Sequence, residues 1–219
     1  LPVIGVTTVG TYSLSAASVT TSVYGVAYER PDIALRVELL AEGDGDLAVP
    51  TSYQQAGVVP LSATSGVIDA GIGDAFTLKF QTGIAENTLL FGSVRNSKWQ
   101  NDQSFVPFYN GSGFDKKQVS SFGDGNSYTL GIGRRLNDAV SISGSIYSDP
   151  GSSCESEPPL APTCGTKSVT VGSKINVAES ANLSLGYTWS QRGDSTVTSS
   201  GMPIASTKSN VVTTIGAKL

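Results

Sequence analysis

Phe76-Thr77-Leu78-Lys79-Phe80-Gln81-Thr82-Gly83-Ile84, then the short connection Ala85-Glu86-Asn87, then Thr88-Leu89-Leu90-Phe91-Gly92-Ser93-Val94-Arg95: this stretch decides how the chain is read. Successive side chains of an extended strand point to opposite faces. Phe76, Leu78, Phe80, Thr82 and Ile84 therefore share one face, while Thr77, Lys79, Gln81 and Gly83 share the other. A lysine inside so regular a strand needs a polar environment on its own side.

The same alternation recurs on both sides of this stretch. Ile33, Leu35, Val37 and Leu39 oppose Ala34, Arg36, Glu38 and Leu40. Tyr128, Leu130 and Ile132 oppose Thr129, Gly131 and Gly133, and Val140, Ile142 and Ile146 oppose Ser141, Ser143 and Ser145. Val169, Val171, Ile175 and Val177 oppose Thr170, Gly172, Lys174 and Asn176. Leu183, Leu185, Tyr187 and Trp189 oppose Ser184, Gly186, Thr188 and Ser190, and Val211, Ile215 and Leu219 oppose Thr214, Gly216 and Lys218. Segments 21–29 and 88–98 are strand-like with a less regular pattern. The reading is about nine strands across 19–219, each close to the 9–11 residues that cross a bilayer as a tilted strand.

The connections between these strands alternate in length. Glu29-Arg30-Pro31-Asp32, Ala85-Glu86-Asn87, Leu136-Asn137-Asp138 and Ala178-Glu179-Ser180 are tight, with Pro31 setting φ and the carboxylates expected on local backbone. The connections at 44–74, 99–126, 149–167 and 193–209 are long and polar. A soluble sandwich has no reason to lengthen every second connection. A transmembrane barrel does, with short periplasmic turns at one rim and long extracellular loops at the other. The fold class expected is all-β, an antiparallel transmembrane β-barrel. Its apolar face meets lipid, and its polar face, with Arg36, Glu38, Lys79, Lys174 and Lys218, lines the lumen. Tyr24, Tyr28, Tyr128, Tyr147, Tyr187 and Trp189 fall toward strand ends, where an interfacial aromatic girdle would lie.

Composition narrows the function. Charged residues are 15% of the 219, where about 25% is usual for a soluble domain. The net charge of −4, with scattered basic residues, leaves no nucleic-acid footprint. There is no histidine, which removes His-based acid/base chemistry and the commonest metal ligand. Serine and threonine are abundant, but no base stands ready to activate them. No catalytic residue, metal ligand or cofactor is therefore expected, and the chain is not read as an enzyme. Glu42-Gly43-Asp44-Gly45-Asp46 lacks the spacing of a calcium loop and reads as a solvated acidic stretch. Gly131-Ile132-Gly133 lies within a strand and reads as small residues on a barrel wall rather than a phosphate loop. Cys154 and Cys164 share one Pro-rich loop; a local disulfide is the preferred reading and free thiols the alternative. Leu1-Pro2-Val3-Ile4 lacks the charged start of a signal peptide, so an exported protein would have lost its leader or would extend beyond this chain.

The stretch Tyr24-Gly25-Val26-Ala27-Tyr28-Glu29-Arg30-Pro31-Asp32-Ile33-Ala34-Leu35-Arg36-Val37 resembles the FadL/TodX family of outer-membrane transporters of hydrophobic compounds. Phe80-Gln81-Thr82-Gly83-Ile84-Ala85 leading into Thr88-Leu89-Leu90-Phe91-Gly92-Ser93-Val94-Arg95 agrees, as do Tyr128-Thr129-Leu130-Gly131-Ile132-Gly133-Arg134-Arg135-Leu136-Asn137-Asp138 and Leu185-Gly186-Tyr187. The first stretch is specific, and the others are of a kind that many barrels show. Together they follow the order of the family's C-terminal portion.

The resemblance implies a monomeric barrel plugged by an N-terminal hatch, in the bacterial outer membrane, passing hydrophobic ligands such as fatty acids or aromatic hydrocarbons. It implies that residues 1–219 form one barrel portion, with 1–18 as an extracellular loop, and that hatch and first strands come from elsewhere in the protein or from a partner chain. An odd strand count points the same way, since single-chain bacterial barrels have even numbers. The partners implied are a hydrophobic small molecule and outer-membrane lipid, with no nucleic acid. The family's capture groove maps to 1–18 and 44–74, where Val3, Ile4, Val6, Tyr12 and Leu14 would face Val58, Val59 and Leu61, with Val67 and Ile68 alongside. Phe105, Val106, Pro107, Phe108, Tyr109 and Phe114 would cap the mouth or meet a partner. Two departures stand out: the chain ends Ala217-Lys218-Leu219 rather than in an aromatic residue, and Asn96-Ser97-Lys98-Trp99-Gln100-Asn101-Asp102 is more polar than the family's continuation. The alternative function is a structural or surface-interaction barrel whose loops bind a partner without transport; a soluble β-sandwich adhesin is a third reading.

Overall fold

The structure is a computed structural model that describes residues 10–55, 64–109, 114–151, 155–156, 164–178, 181–199, 202–207 and 211–218. Its strands, in chain order, begin with β1 (Gly10–Leu14), β2 (Val23–Arg30), β3 (Leu35–Glu42), β4 (Gly45–Gln55), β5 (Thr64–Ile72) and β6 (Ala75–Ala85). They continue with β7 (Thr88–Ser97), β8 (Phe105–Tyr109), β9 (Phe114–Gln118), β10 (Gly125–Arg135), β11 (Val140–Asp149) and β12 (Glu155–Ser156). The last are β13 (Thr166–Ala178), β14 (Ala181–Arg192), β15 (Ser195–Ser199), β16 (Met202–Thr207) and β17 (Val211–Lys218).

A nine-stranded sheet forms the wall, in the order β17-β14-β13-β11-β10-β7-β6-β3-β2. Each neighbouring pair is antiparallel, so the wall is an up-and-down meander. These are the nine segments read from the alternation. The count of nine for the whole chain was nevertheless too low. The long connections, expected as irregular loops, carry strands of their own, in a five-stranded sheet β1-β4-β5-β8-β9 and a three-stranded sheet β12-β15-β16. The reason is backbone satisfaction: long polar segments must pair their N–H and C=O groups, and pairing with one another does so. Closure also differs from the expectation of a barrel. The wall is an open sheet with β2 and β17 as its edges, and no pairing joins them among the described residues.

The turns follow from local chemistry. Pro31–Ile33 forms a single 3₁₀ turn that Ala34 ends in the left-handed region, φ 52°. Asp32 accepts from Arg30 at 2.7 Å and Glu29 from Arg36 at 2.5 Å, so these carboxylates take side-chain partners rather than the backbone expected. Asn87 takes φ 56° between β6 and β7, a conformation asparagine tolerates well. Asn137 Oδ1 accepts from the backbone N–H of Ala139 and Val140, closing the β10–β11 turn. Of the fourth turn, residues 179–180 lie outside the described residues, as does Cys154. Among the described residues no cysteine is free.

Register makes the two faces explicit. Val26, Leu39, Leu78, Val94 and Tyr128 stand side by side across five strands, all apolar and all exposed. The adjacent row runs Tyr28, Val37, Phe80, Gly92, Leu130, Ile146, Val169 and Trp189. No second layer covers this face among the described residues; the one buried hydrophobic side chain among them, Ala75, has the parity of Thr77 and Lys79 and so lies on the opposite face. Each of the exposed Val, Leu and Ile side chains would forgo roughly 1.5–3 kcal/mol if left in water. In a soluble sandwich that face would be the core; here it lies open among the described residues.

The opposite face is polar. One row runs Ala27, Glu38, Lys79, Ser93, Thr129, Tyr147, Ser168 and Ser190, the next Glu29, Arg36, Gln81, Phe91, Gly131, Ser145, Thr170 and Thr188. Glu38 bridges Arg36 at 2.8 Å and Lys79 at 3.4 Å, and hydroxyl pairs Ser168–Ser190 and Thr170–Thr188 close at 2.9 Å. Tyr147, expected in a girdle on the apolar face, belongs to this polar face because it shares the parity of Ser143 and Ser145.

Candidate functional site

Two cavities open on the polar face, one at the end bearing the long connections and one at the end bearing the tight turns. The first, about 380 Å³, is floored by Arg95 and Ser97 of β7, Gly125 and Ser127 of β10, and Tyr147 and Asp149 of β11. Trp99 and Phe122, from the connections after β7 and before β10, bound it on the loop side. Their rings meet edge to face, with centroids 5.7 Å apart and planes at 66°. That geometry suits aromatic quadrupoles.

Both aromatics are held by a side-chain network that sequence reading did not single out. Asp124 Oδ1 accepts from the backbone N–H of Trp99 at 3.0 Å and of Gln100 at 3.1 Å, and its other oxygen takes Lys98 at 3.0 Å. These bonds, the one from Gln100 first, hold the Asp124 carboxyl below its ordinary pKa. Gln103 donates from Nε2 to the carbonyls of Trp99, Gln100 and Phe122 at 3.0, 3.0 and 2.7 Å. Its Oε1 accepts from Phe122 N–H at 2.8 Å and from Ser120 Oγ at 3.0 Å. Ser120, fully buried, accepts in turn from Ser104 N–H at 2.7 Å. One amide thus ties the start of the long connection to its end. Only the spacing of a lone glutamine and serine could have signalled it, and that spacing means nothing until the chain folds back.

Arg95 lies at the cavity floor with Glu42 as its partner. Nη1 and Nη2 reach the two carboxylate oxygens at 2.8 and 2.5 Å, a bidentate geometry, and Nη1 also donates to Thr77 Oγ1 at 3.1 Å. Asp149, also in the lining, accepts from Gly151 N–H at 2.9 Å. Nearby Asp102 has its carboxyl pushed up, chiefly by burial and then by the charges of Asp44, Asp46, Asp74 and Asp124.

The second cavity, about 740 Å³, is lined by Gly83, Leu89, Gly133, Ser143 and Gly172, with Lys174 and Ser184 further along. Gly83, Leu89, Gly133, Ser143, Gly172, Gly186 and Gly216 form one continuous row across adjacent strands, which leaves this end of the face low. Between the cavities Phe91 lies over Gly131, where an added Cβ would sit 2.6 Å from Phe91 Cε2. Glycine is required there so that the ring can lie on the backbone.

Of the residues expected at a capture groove, Val3, Ile4, Val6, Val58, Val59 and Leu61 lie outside the described residues. Of the two segments to which the groove was assigned, the described parts pair as strands: β1 with β4, setting Tyr12 opposite Tyr53 and Leu14 opposite Thr51. Leu14 is exposed, and Val67 of β5 pairs with Pro50 of β4. The aromatic segment at Phe105–Tyr109 pairs with Phe114–Gln118 as a hairpin and meets β5 at Asp69 and Phe105.

Against solved structures, the chain is similar to a FadL homologue of Pseudomonas aeruginosa, with a TM-score of 0.61 over 81% of this chain and 45% of that chain, at 9% identity. The fold is FadL-like. The CymD monoaromatic hydrocarbon channel is similar to it as well, with a TM-score of 0.53, 13% identity, and coverage of 84% of this chain and 56% of that one. The chain spans about half the length of these two structures. No family model and no curated protein matches its sequence. At such identities the likeness carries the architecture alone.

Proposed function

We propose that this chain forms part of the wall and mouth of a bacterial outer-membrane channel that passes hydrophobic small molecules passively, without covalent chemistry or a cofactor. The observation that carries the reading is the inversion of faces: apolar rows exposed over successive strands on one side, charges and hydroxyls on the other. Lipid satisfies the first and a hydrated lumen the second. The FadL-like fold supports it, since one structural neighbour is a hydrocarbon channel. In this reading the β1–β4 region receives ligand, with Val3, Ile4, Val6, Tyr12, Leu14, Val58, Val59 and Leu61 supplying apolar contact. Ligand then enters the cavity under Trp99 and Phe122 and moves along the polar face past Phe91. Further strands complete the barrel, because open edges in lipid would cost several kcal/mol per unpaired backbone group. Cys154 and Cys164 form a disulfide that staples the outer loop in an oxidising compartment.

The test is fractionation of native membranes followed by uptake. The protein should stay in the outer membrane through alkaline carbonate and leave it only with detergent, and vesicles carrying it should take up toluene or naphthalene faster than vesicles without it. Release by carbonate would refute the membrane reading. Membrane retention with no uptake would favour the surface-interaction reading, which the sheets built from the long connections support.

A further inference from the structure

We propose that the Glu42–Arg95 pair sets the ligand class of the mouth cavity: it admits uncharged, ring-sized molecules and turns carboxylates away. The proposal rests on the channel reading above and concerns the chemistry of that same site. Three observations carry it. The cavity is bounded by the aromatic rings of Trp99, Phe122 and Tyr147, which offer flat apolar contact. Its volume of about 380 Å³ exceeds the roughly 150 Å³ that holds one benzene, leaving room for one or two fused rings. Its one lining cation, Arg95, is already engaged by both oxygens of Glu42 and by the Thr77 hydroxyl.

The surrounding charges cancel in the same way. On the polar face Glu29, Arg36, Glu38 and Lys79 pair in sequence, and Lys98 beside Trp99 is taken by Asp124. Asp149 adds a negative charge to the cavity lining itself. An entering carboxylate would therefore meet Asp149 and would have to displace Glu42 from a bidentate geometry in order to reach a cation. A neutral ring has no such competition. Glu42 lies two strands away from Arg95, on β3, so the pair exists only because the wall brings β3, β6 and β7 side by side.

Naphthalene and 2-naphthoate share a ring system and differ by one carboxylate, which makes them the probes. Binding is measured by quenching of tryptophan emission in the protein taken from its native membrane and placed in phospholipid nanodiscs, with a Trp99→Phe variant as the control for site. Naphthalene should quench Trp99, and 2-naphthoate should bind roughly tenfold or more weakly. Glu42→Gln leaves the Arg95 charge uncompensated and should raise 2-naphthoate affinity by roughly tenfold while naphthalene changes little. The double variant Glu42→Gln/Arg95→Gln removes both charges of the pair and should lose that gain, which separates the charge effect from any damage to folding. Equal binding of both probes by the unaltered protein, or a Glu42→Gln variant that keeps the original preference, overturns the proposal. Uptake of both probes by lipid vesicles carrying the protein separates the two levels: transport with no discrimination at Trp99 sinks this proposal alone, while no transport of either probe sinks the channel reading with it.

Discussion

Replacing Gln103 with alanine should open the connection between β7 and β10 without disturbing the nine-stranded sheet. The side chain makes three donor contacts and two acceptor contacts, to Trp99, Gln100, Phe122 and Ser120. Its two amide hydrogens serve three carbonyls, so the set is equivalent to about four full hydrogen bonds, each worth roughly 0.5–1.5 kcal/mol net. One of these is exposed and the others are part-buried, so water will replace part of what is lost. A local cost of about 2–4 kcal/mol follows, equivalent to a rise of roughly thirtyfold to several-hundredfold in the opening of this segment. Amide hydrogen exchange reads it directly, at Phe122 N–H, which loses its acceptor, and at Ser104 N–H, whose acceptor Ser120 Oγ loses its anchor. The wall amides of β6, β7 and β10 should keep their protection, because Gln103 touches none of them. Gln103→Glu gives a second arm: it keeps the acceptor but sets a carboxylate against three carbonyl oxygens, so it should be at least as open at pH 7 and recover as the carboxyl is protonated. Exchange at Phe122 within twofold of the parent protein in Gln103→Ala would refute the assignment of this side chain as the tie.

The wall and the rim each yield further tests. Leu78→Arg, on the exposed apolar row, should on the proposed membrane reading impair assembly at a cost of about 2–4 kcal/mol near the bilayer midplane, while Ser93→Arg on the polar face should assemble; heat resistance of the folded band on electrophoresis checks both. Asp124, with its pKa lowered in the folded protein, contributes its stabilisation above the ordinary carboxylate pKa of about 4 and loses it as pH falls through the lower folded value. Trp99 emission should accordingly shift on acidification below about pH 4, and Asp124→Asn should show that altered emission already at pH 7. Asp102 has the opposite sign: its folded pKa is raised, so its ionised form destabilises at neutral pH. Asp102→Asn should then raise the protection of the 99–104 segment at pH 7, with the advantage vanishing as the parent is acidified and Asp102 takes up its proton; equal protection at pH 7 would count against the buried-acid account.

The wall was readable because strand alternation is a local property with a fixed period. A run such as Phe76 to Ile84 assigns its faces before any partner is known, and the tight turns at Asn87 and Asn137 announce themselves by residue type. The long connections were less legible. Pro50 and the scattered glycines interrupt the period in β4 and β5, and an edge pairing such as β1 with β4 joins segments that only proximity selects. Tyr147 was misread because an aromatic near a strand end was weighed by its position along the strand rather than by its parity with Ser143 and Ser145.

By itself, the sequence determined the all-β class, the nine wall strands, the division of their faces and the absence of histidine. Those follow from a repeat of two residues and from which side chains are present at all. Only the tertiary structure decided that Glu42 meets Arg95 across β6, that Gln103 binds Trp99 to Phe122, and that Phe91 lies on Gly131 between two cavities. Each of these joins residues on different strands or at opposite ends of a long connection, and such contacts depend on register and on the path of the chain, which no local period encodes.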